Sequence, residues 1–299
     1  MHPVLRFAPS PNGWLHLGHA LSALTGFAWA RRLGGRFLVR IEDIDTVRCR
    51  PALIDAALED LAWLGITWQA PVLRQSEHFP VYTAAADQLA ALGLLYPCFA
   101  TRGEIERARG AQAADPDGAP LYPGLYKGYP ARLAAERQAR GEPHAMRLDM
   151  AKALRISAER MAGAALTFRA IDEHGRVETV SVEPARWGDA VIVRRDTPTS
   201  YHLSVVVDDA RQGITHVTRG RDLYAATDLQ RLLQVLLGLS DWQTGPLYHH
   251  HRLITDATGR KLAKSARDTS LRSLRLQGWS PADVCHALAV HGLPQSRIG

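Results

Sequence analysis

The sequence predicts an α/β protein built on a parallel β-sheet, and the stretch 4–41 carries that prediction. A short apolar strand, 4–7, is followed by a turn, 8–13, that its prolines and glycine keep out of a helix. A helical pattern then begins at His19 and stops at Gly34, and a second strand follows over 36–41. A strand, helix and strand in this order form a βαβ unit, which implies parallel pairing with a right-handed crossover.

The turn between the first strand and the first helix is a candidate anion site. A helix that begins directly after a strand presents unpaired N–H groups and the positive end of its dipole, and phosphate is a common ligand there. Two imidazoles, His16 and His19, flank this helix start, and Gly18 would let a ligand approach the backbone. Taken alone the pattern is ambiguous, because many such helix starts in α/β proteins bind nothing.

Acidic residues follow the second strand. Glu42 comes directly after the apolar run 37–39, at the strand end where open α/β sheets bind ligands. For Asp43 and Asp45, a role at this ligand-binding edge and a purely structural role are equally favoured, the latter in a solvated loop or a helix cap by Asp45 or Thr46.

Further elements are predicted in the middle of the chain. Helices are expected over 51–64 and 81–94, and the strands of a hairpin over 166–171 and 177–182. Between them, 101–145 is rich in Ala, Arg, Gly and Pro and predicts a looser inserted segment at the surface. Its arginines could contact a phosphate backbone, although a solvated helical face explains them equally simply.

The last third of the chain returns to the α/β pattern. Strands are predicted over 190–193 and 201–207, the second ending in Asp208-Asp209, and a strand with a glycine turn over 213–223 precedes a helix over 227–237. The triplet His249-His250-His251 follows a strand-like stretch and is not interpreted as a tag.

A cationic loop follows the histidine triplet. Lys261 and Lys264 lie three residues apart between a glycine and a serine, where a lysine can follow charge that develops on a phosphate. A solvated basic loop is the alternative explanation. Another helix is predicted over 281–291.

Length, charge and cysteine content limit the possible domain count, partners and cellular compartment. The chain of 299 residues is long enough for one or two domains, and its net charge of +6 suits a nucleic-acid partner without requiring one. Cys49, Cys98 and Cys285 are odd in number and far apart, so we expect no disulfide framework and a reducing, cytoplasmic setting. There is no apolar run of roughly 18 residues to predict a membrane span and no signal-peptide pattern.

Two stretches at opposite ends of the chain decide between these interpretations. His16-Leu17-Gly18-His19 and Lys261-Leu262-Ala263-Lys264-Ser265 together resemble the paired HIGH and KMSKS signatures of class I aminoacyl-tRNA synthetases, with Ala263 where serine is usual. Further stretches resemble the glutamyl branch of that class: 6–13, 39–43, 205–209 and 213–220. The resemblance runs from residue 4 to about 265, and no anticodon-binding domain is expected beyond it. This shortened form resembles the glutamyl-Q tRNA(Asp) synthetases.

The resemblance implies an activity. A member of this family activates L-glutamate with ATP, accompanied by Mg²⁺, to glutamyl-adenylate and transfers the glutamate to queuosine in the anticodon of tRNA(Asp). We expect a cytoplasmic enzyme, as a monomer, whose partners are glutamate, ATP and this tRNA.

The resemblance also implies an architecture. We expect a Rossmann-like class I catalytic domain with a parallel sheet, an inserted α+β subdomain and a short helical C-terminal extension. The expected segments are the first half of the catalytic domain (1–97), the inserted acceptor-type subdomain (98–190), the second half of the catalytic domain (191–245), and the lysine loop with the C-terminal helices (246–299).

Site residues are carried over from the family by position. The catalytic residues are His16, His19, Lys261 and Lys264, and ATP is bound by His16, Gly18, His19 and Lys264. The residues implied for L-glutamate are Arg6, Phe7, Ala8, Pro9, Ser10, Glu42, Tyr201 and Arg219. Glu42 would bind the ammonium group, and the two arginines would bind the carboxylates in an order that stays open.

The sequence departs from the family at a zinc site. Many members bind zinc through a Cys-x-Cys pair, a Tyr and a further Cys. Here Cys98 and Tyr122 remain, while Ala100 cannot bind a metal and Tyr126 is a poor replacement for a thiolate. We therefore predict that the protein binds no zinc.

Three other functions stay open at this point. The chain could be part of a glutamyl-tRNA synthetase that charges tRNA(Glu), which the missing anticodon-binding domain disfavours. It could be another ATP-dependent ligase of the superfamily, which the glutamate-pocket residues disfavour. A non-catalytic RNA-binding paralogue is disfavoured by the intact histidines and lysines.

Overall fold

The computed structural model describes residues 2–109, 114–239, 245–254, 270–289 and 293. The strands are β1 (Val4–Phe7), β2 (Arg36–Ile41), β3 (Gln69–Arg74), β4 (Leu95–Cys98), β5 (Ala145–Leu148), β6 (Thr167–Ile171), β7 (Val177–Ser181), β8 (Val191–Val193), β9 (His216–Gly220) and β10 (Leu247–His251). The α-helices are α1 (Leu17–Arg32), α2 (Pro51–Trp63), α3 (Phe79–Ala91), α4 (Arg102–Ala108), α5 (Ala131–Ala139), α6 (Met150–Arg160), α7 (Tyr201–Arg211), α8 (Ala226–Leu237), α9 (Leu271–Leu276) and α10 (Pro281–Ala289). None of these helices is long and apolar enough to cross a membrane.

A seven-stranded sheet forms the centre of the fold. Its strand order is β3-β2-β1-β9-β10-β6-β7, and every neighbouring pair is parallel except β6 with β7. Leu5 of β1 pairs with His216 of β9, more than two hundred residues further along the chain, so the two halves of the sequence meet at the middle of the sheet. The predicted α/β class with a parallel sheet is thereby confirmed.

A second, three-stranded antiparallel sheet has the order β4-β5-β8. Strands β6 and β7 also lie between residues 98 and 190, yet they extend the large sheet. The division of the chain into four segments therefore remains a prediction.

The β1-α1-β2 unit has the boundaries that the sequence predicts for its strands. Its helix starts at Leu17, slightly earlier than expected, because His16 caps it. Helix α1 packs tightly on the sheet at Gly26, where an added Cβ would lie 2.7 Å from Thr218 Oγ1 and 3.1 Å from Phe37 Cε2. This close packing positions the start of α1 against the carboxyl ends of β1 and β9.

One element prediction is wrong: 201–207 is not a strand but the first part of helix α7. Ser200 caps the helix by accepting a hydrogen bond from the backbone N–H of Leu203. The residues of Val205–Asp209 are all buried, because other elements surround the helix. A helix buried on all sides carries a continuous apolar run, and this is why it resembles a buried strand in sequence. Asp208 and Asp209 accordingly lie within a helix rather than at a strand end.

Candidate active site

A cavity of about 620 Å³ opens where β1, β2 and β9 end. Its lining contains every residue implied for glutamate and the three residues of the helix start: Arg6, Phe7, Ala8, Pro9, Ser10, His16, Gly18, His19, Glu42, Tyr201 and Arg219. Lys261 and Lys264 lie outside the described residues. The local stretch 6–19 and three more distant positions, Glu42, Tyr201 and Arg219, are thus brought together at one site.

The two histidines of the helix start are held by the helix backbone. His16 Nδ1 accepts a hydrogen bond from the Gly18 N–H at 3.0 Å, and His19 Nδ1 accepts one from the His16 N–H at 3.2 Å. A neutral imidazole that accepts at Nδ1 carries its proton on Nε2, so each ring has an N–H donor on its far side. Gly18 is needed for this cap, since an added Cβ would lie 2.9 Å from His16 Cε1.

Arg6 and Glu42 are joined by a buried chain of charges. Arg6 donates to both oxygens of Asp209, at 3.0 and 3.2 Å. Arg40, which is fully buried, donates to Asp209 Oδ1 at 2.8 Å and to Glu42 Oε1 at 3.1 Å. Asp209 therefore connects β1 and β2 to helix α7 and orients the guanidinium of Arg6 at the cavity wall.

The two acids of this network have opposite pKa shifts. Burial alone would raise the pKa of Asp209, but Arg6 and Arg40 more than offset it and hold that pKa below its ordinary value. Burial raises the pKa of Glu42, and Arg40 and Arg6 oppose this rise only in part. A cation that enters the cavity beside Glu42 would therefore stabilise its ionised form.

Arg219 has a different environment from Arg6. Its Nε donates to His250 Nε2 at 3.2 Å, its Nη1 to Gln230 Oε1 at 2.8 Å and its Nη2 to Thr227 Oγ1 at 2.9 Å. All three partners are neutral. The guanidinium lines the cavity. Among the described residues, no Asp or Glu oxygen lies within 4.0 Å of it to balance its charge.

Sequence reasoning missed five residues that hold the site together: Arg40, Asp209, Thr227, Gln230 and His250. A signal existed for Arg40, because a charged residue inside an otherwise apolar strand must find a buried partner. Its partner Asp209 comes from α7, and the partners of Arg219 come from α8 and β10. The local sequence does not show which residue pairs with which arginine.

The positions that match the zinc ligands of the family form a hydrogen-bonded cluster in this chain. Cys98 Sγ donates to Tyr122 Oη at 3.3 Å, and the same oxygen accepts from the Tyr126 N–H at 2.8 Å. The Arg147 guanidinium lies 3.9 Å from the centre of the Tyr122 ring. In the part of the chain that the structure describes, no group of three or more His, Cys, Asp and Glu side chains could hold a metal ion. That the protein binds no zinc stays a prediction.

Comparison with known proteins adds three matches. The family model for the catalytic domain of class I tRNA synthetases of types E and Q matches residues 4–298. The Glutamyl-Q tRNA(Asp) synthetase of Rhodobacter capsulatus is 44% identical over 94% of this chain and 98% of its own length. The Glutamate–tRNA ligase 2 of a Methylobacterium species is 40% identical over 98% of this chain, which spans 61% of that protein.

A solved structure agrees with these matches. The glutamate-tRNA synthetase of Elizabethkingia anophelis has a TM-score of 0.68 and 26% identity, over 93% of this chain and 54% of its own. The parallel sheet, the histidine-capped helix start and these matches define the catalytic domain of a class I aminoacyl-tRNA synthetase, an enzyme of the ligase class. Within that class, the chain belongs to the glutamyl-Q tRNA(Asp) synthetase family.

Proposed function

We propose that this enzyme activates L-glutamate with ATP and transfers the glutamate to queuosine in the anticodon of tRNA(Asp). The activation step is supported by one observation: Arg6, Glu42 and Arg219 line the same cavity as the histidine-capped start of α1. The acceptor is supported by the name of the Rhodobacter relative, which is matched over 98% of its length. We also propose that the enzyme acts as a monomer.

Activation requires two anions to meet. An oxygen of the glutamate α-carboxylate attacks the α-phosphorus of ATP, the bond from that phosphorus to the bridging oxygen breaks, and pyrophosphate leaves with the electron pair. The nucleophile is already ionised, so no general base is needed. The site contributes by holding both anions at the right distance and by stabilising the charge that grows on the phosphate.

The charges of the cavity wall suit glutamate. The chain of Arg6, Asp209, Arg40 and Glu42 carries two positive and two negative charges, so Arg219 adds one net positive charge. Glutamate carries two carboxylates and one ammonium group, hence one net negative charge. We propose that Arg6 and Arg219 bind the carboxylates and that Glu42 binds the ammonium group.

The phosphates are assigned to the helix start. His16, Gly18 and His19 at the N-terminus of α1 line the cavity, and a helix N-terminus flanked by imidazole rings suits an anionic ligand. Lys264 and Lys261 are proposed as the cations opposite them. Mg²⁺ enters with ATP, where it usually binds phosphate oxygens and water.

A His19→Gln variant tests this assignment. Glutamine at the third helical position can still accept from the His16 N–H, so the helix cap is kept while the imidazole N–H is removed. We expect kcat of glutamate-dependent pyrophosphate exchange to fall by about 100-fold, because one donor to a developing oxyanion is lost. A matched control, His174→Gln in an exposed turn, should leave kcat unchanged. Normal exchange in the His19 variant would refute the phosphate role.

The acceptor is tested by transfer of labelled glutamate to two tRNA pools, one from normal cells and one from cells unable to make queuosine. We expect label only with the first pool, on tRNA(Asp). The Methylobacterium relative, named a glutamate–tRNA ligase, gives the second candidate function. Equal labelling of tRNA(Glu) in both pools would establish that alternative. Exchange without transfer to either pool would leave only the activation step standing.

A further inference from the structure

Arg219 is a buried cation with neutral neighbours. Its residue is 5% exposed, and its described hydrogen-bond partners are a hydroxyl, an amide oxygen and an imidazole nitrogen. Arg6 and Arg40 are buried to a similar degree, yet both pair with Asp209. Since a buried charge is costly unless it is paired, the arrangement around Arg219 keeps a positive charge for a ligand.

The fold builds this neutral environment from two elements. The register of the parallel strands β9 and β10 places His250 directly beside Arg219. Thr227 and Gln230 lie three residues apart on α8 and so present their side chains on one face of the helix. The three acceptors reach different nitrogens of one guanidinium, which uses three of its five N–H groups and leaves two.

His250 is kept neutral by its surroundings. The rings of Tyr224, Tyr248 and Phe168 lie 4.9, 6.1 and 6.2 Å from its own ring centre. Burial, and next the positive charge of Arg219, lower the pKa of His250 to about 2. Its Nε2 accepts from Arg219, so the single proton lies on Nδ1, and the ring orients Arg219 without adding or removing charge.

We propose that Arg219 binds the side-chain carboxylate of the substrate and that Thr227, Gln230 and His250 are positioning residues that determine specificity for glutamate over glutamine, whose side chain is an uncharged amide. They fix the plane of the Arg219 guanidinium with neutral acceptors, so its full charge remains available to a substrate carboxylate. An acid at any of the three positions would supply that carboxylate from the protein itself. This inference rests on the proposed binding of glutamate and adds to it the reason for the selectivity.

The decisive variant is Gln230→Glu. It replaces the amide by a carboxylate of nearly the same shape, at the position where Gln230 Oε1 lies 2.8 Å from Arg219 Nη1. We expect the Kd of glutamate, measured by calorimetry, to rise by about 100-fold while that of glutamine changes little, because only glutamate has a side-chain carboxylate that loses the positive charge of Arg219. An unchanged ratio of glutamate to glutamine affinity would overturn the proposal.

Matched controls separate this effect from a general change in the helix. Gln234→Glu introduces the same charge into buried helix α8, but Gln234 contacts Arg231 and Tyr248 rather than Arg219. Its affinity ratio should equal that of the wild type. If Gln230→Glu fails to fold, Thr227→Val and Thr227→Ser serve instead: the first removes the acceptor and should raise the Kd of glutamate about 10-fold, and the second keeps it. Equal Kd values in this pair would also overturn the proposal.

The two hypotheses fail in different ways. Pyrophosphate exchange by the wild-type enzyme tests activation of glutamate, whereas the calorimetric ratio tests selectivity without any chemical step. Binding with normal selectivity but no exchange would contradict the proposed function alone. Exchange together with an unaltered ratio in Gln230→Glu would contradict this inference alone. A wild-type enzyme that binds neither amino acid would contradict both.

Discussion

Replacing Arg219 by alanine is expected to abolish glutamate activation. The substitution removes the buried cation that has only neutral described partners and lines the cavity. Two charge-assisted hydrogen bonds to a carboxylate are lost, so kcat/KM of pyrophosphate exchange should fall by about 1,000-fold, or roughly 4 kcal/mol. Exchange of labelled pyrophosphate into ATP at several glutamate concentrations measures this loss directly.

The comparison with Arg6→Ala sharpens the result. That change should also abolish exchange, but it leaves Asp209 paired with Arg40, so part of the buried network persists. Arg176→Ala is a suitable control, because Arg176 is exposed and its ion-pair partner among the described residues is Asp172 in the same turn. Near-normal exchange in both the Arg6 and the Arg219 variant, with both folded by circular dichroism, would refute the glutamate pocket.

The sequence predicts the first half of the site well because its signals are local. The strand, the proline-containing turn and the helix start occupy one continuous stretch, 4–19. Its prolines restrict the backbone and its glycines allow close approach, and both effects act within the stretch itself. The acid after β2 is equally local, since it follows directly from the end of a buried strand.

The arrangement around Asp209 could not be predicted in this way. Helix α7 carries Val205–Asp209 without an exposed face, so neither a period of two nor one of 3.6 residues is visible. The partners of Asp209 lie 169 and 203 residues away along the chain. Such a pairing depends on how the two halves of the sheet meet, and this is decided by the whole fold.

The contacts of the histidine triplet, 249–251, could be predicted from the sequence only in part. Alternation along β10 places His250 on the opposite face from its two neighbours, which a strand prediction implies. The identity of its partner follows only from the register with β9. His249 instead stacks on Trp29 at 4.9 Å, and His251 bonds Ser22 at the cavity. One short repeat thus has three separate roles.

Replacing Asp209 by asparagine is expected to be strongly destabilising. The isosteric change removes the negative charge between Arg6 and Arg40 and leaves the two buried guanidinium groups with Glu42 as their one ion-pair partner among the described residues. Removing one partner from a buried ion network costs about 3–5 kcal/mol in the free energy of unfolding. Urea denaturation at about pH 7 measures this difference, with Asp55→Asn on the exposed face of α2 as a control expected to stay within about 0.5 kcal/mol.

The pH dependence of that difference identifies its cause. The pKa of Asp209 in the folded protein lies below its ordinary value of 3.8, so the stabilisation that it provides is complete above that value and is lost as the pH falls below it. The wild type and Asp209→Asn should therefore differ fully at about pH 7 and progressively less below about pH 4. A difference that stays constant over this range would mean that asparagine disturbs packing rather than charge. In that case, packing rather than the charge of Asp209 would orient Arg6, and this orientation would persist when Asp209 is neutralised.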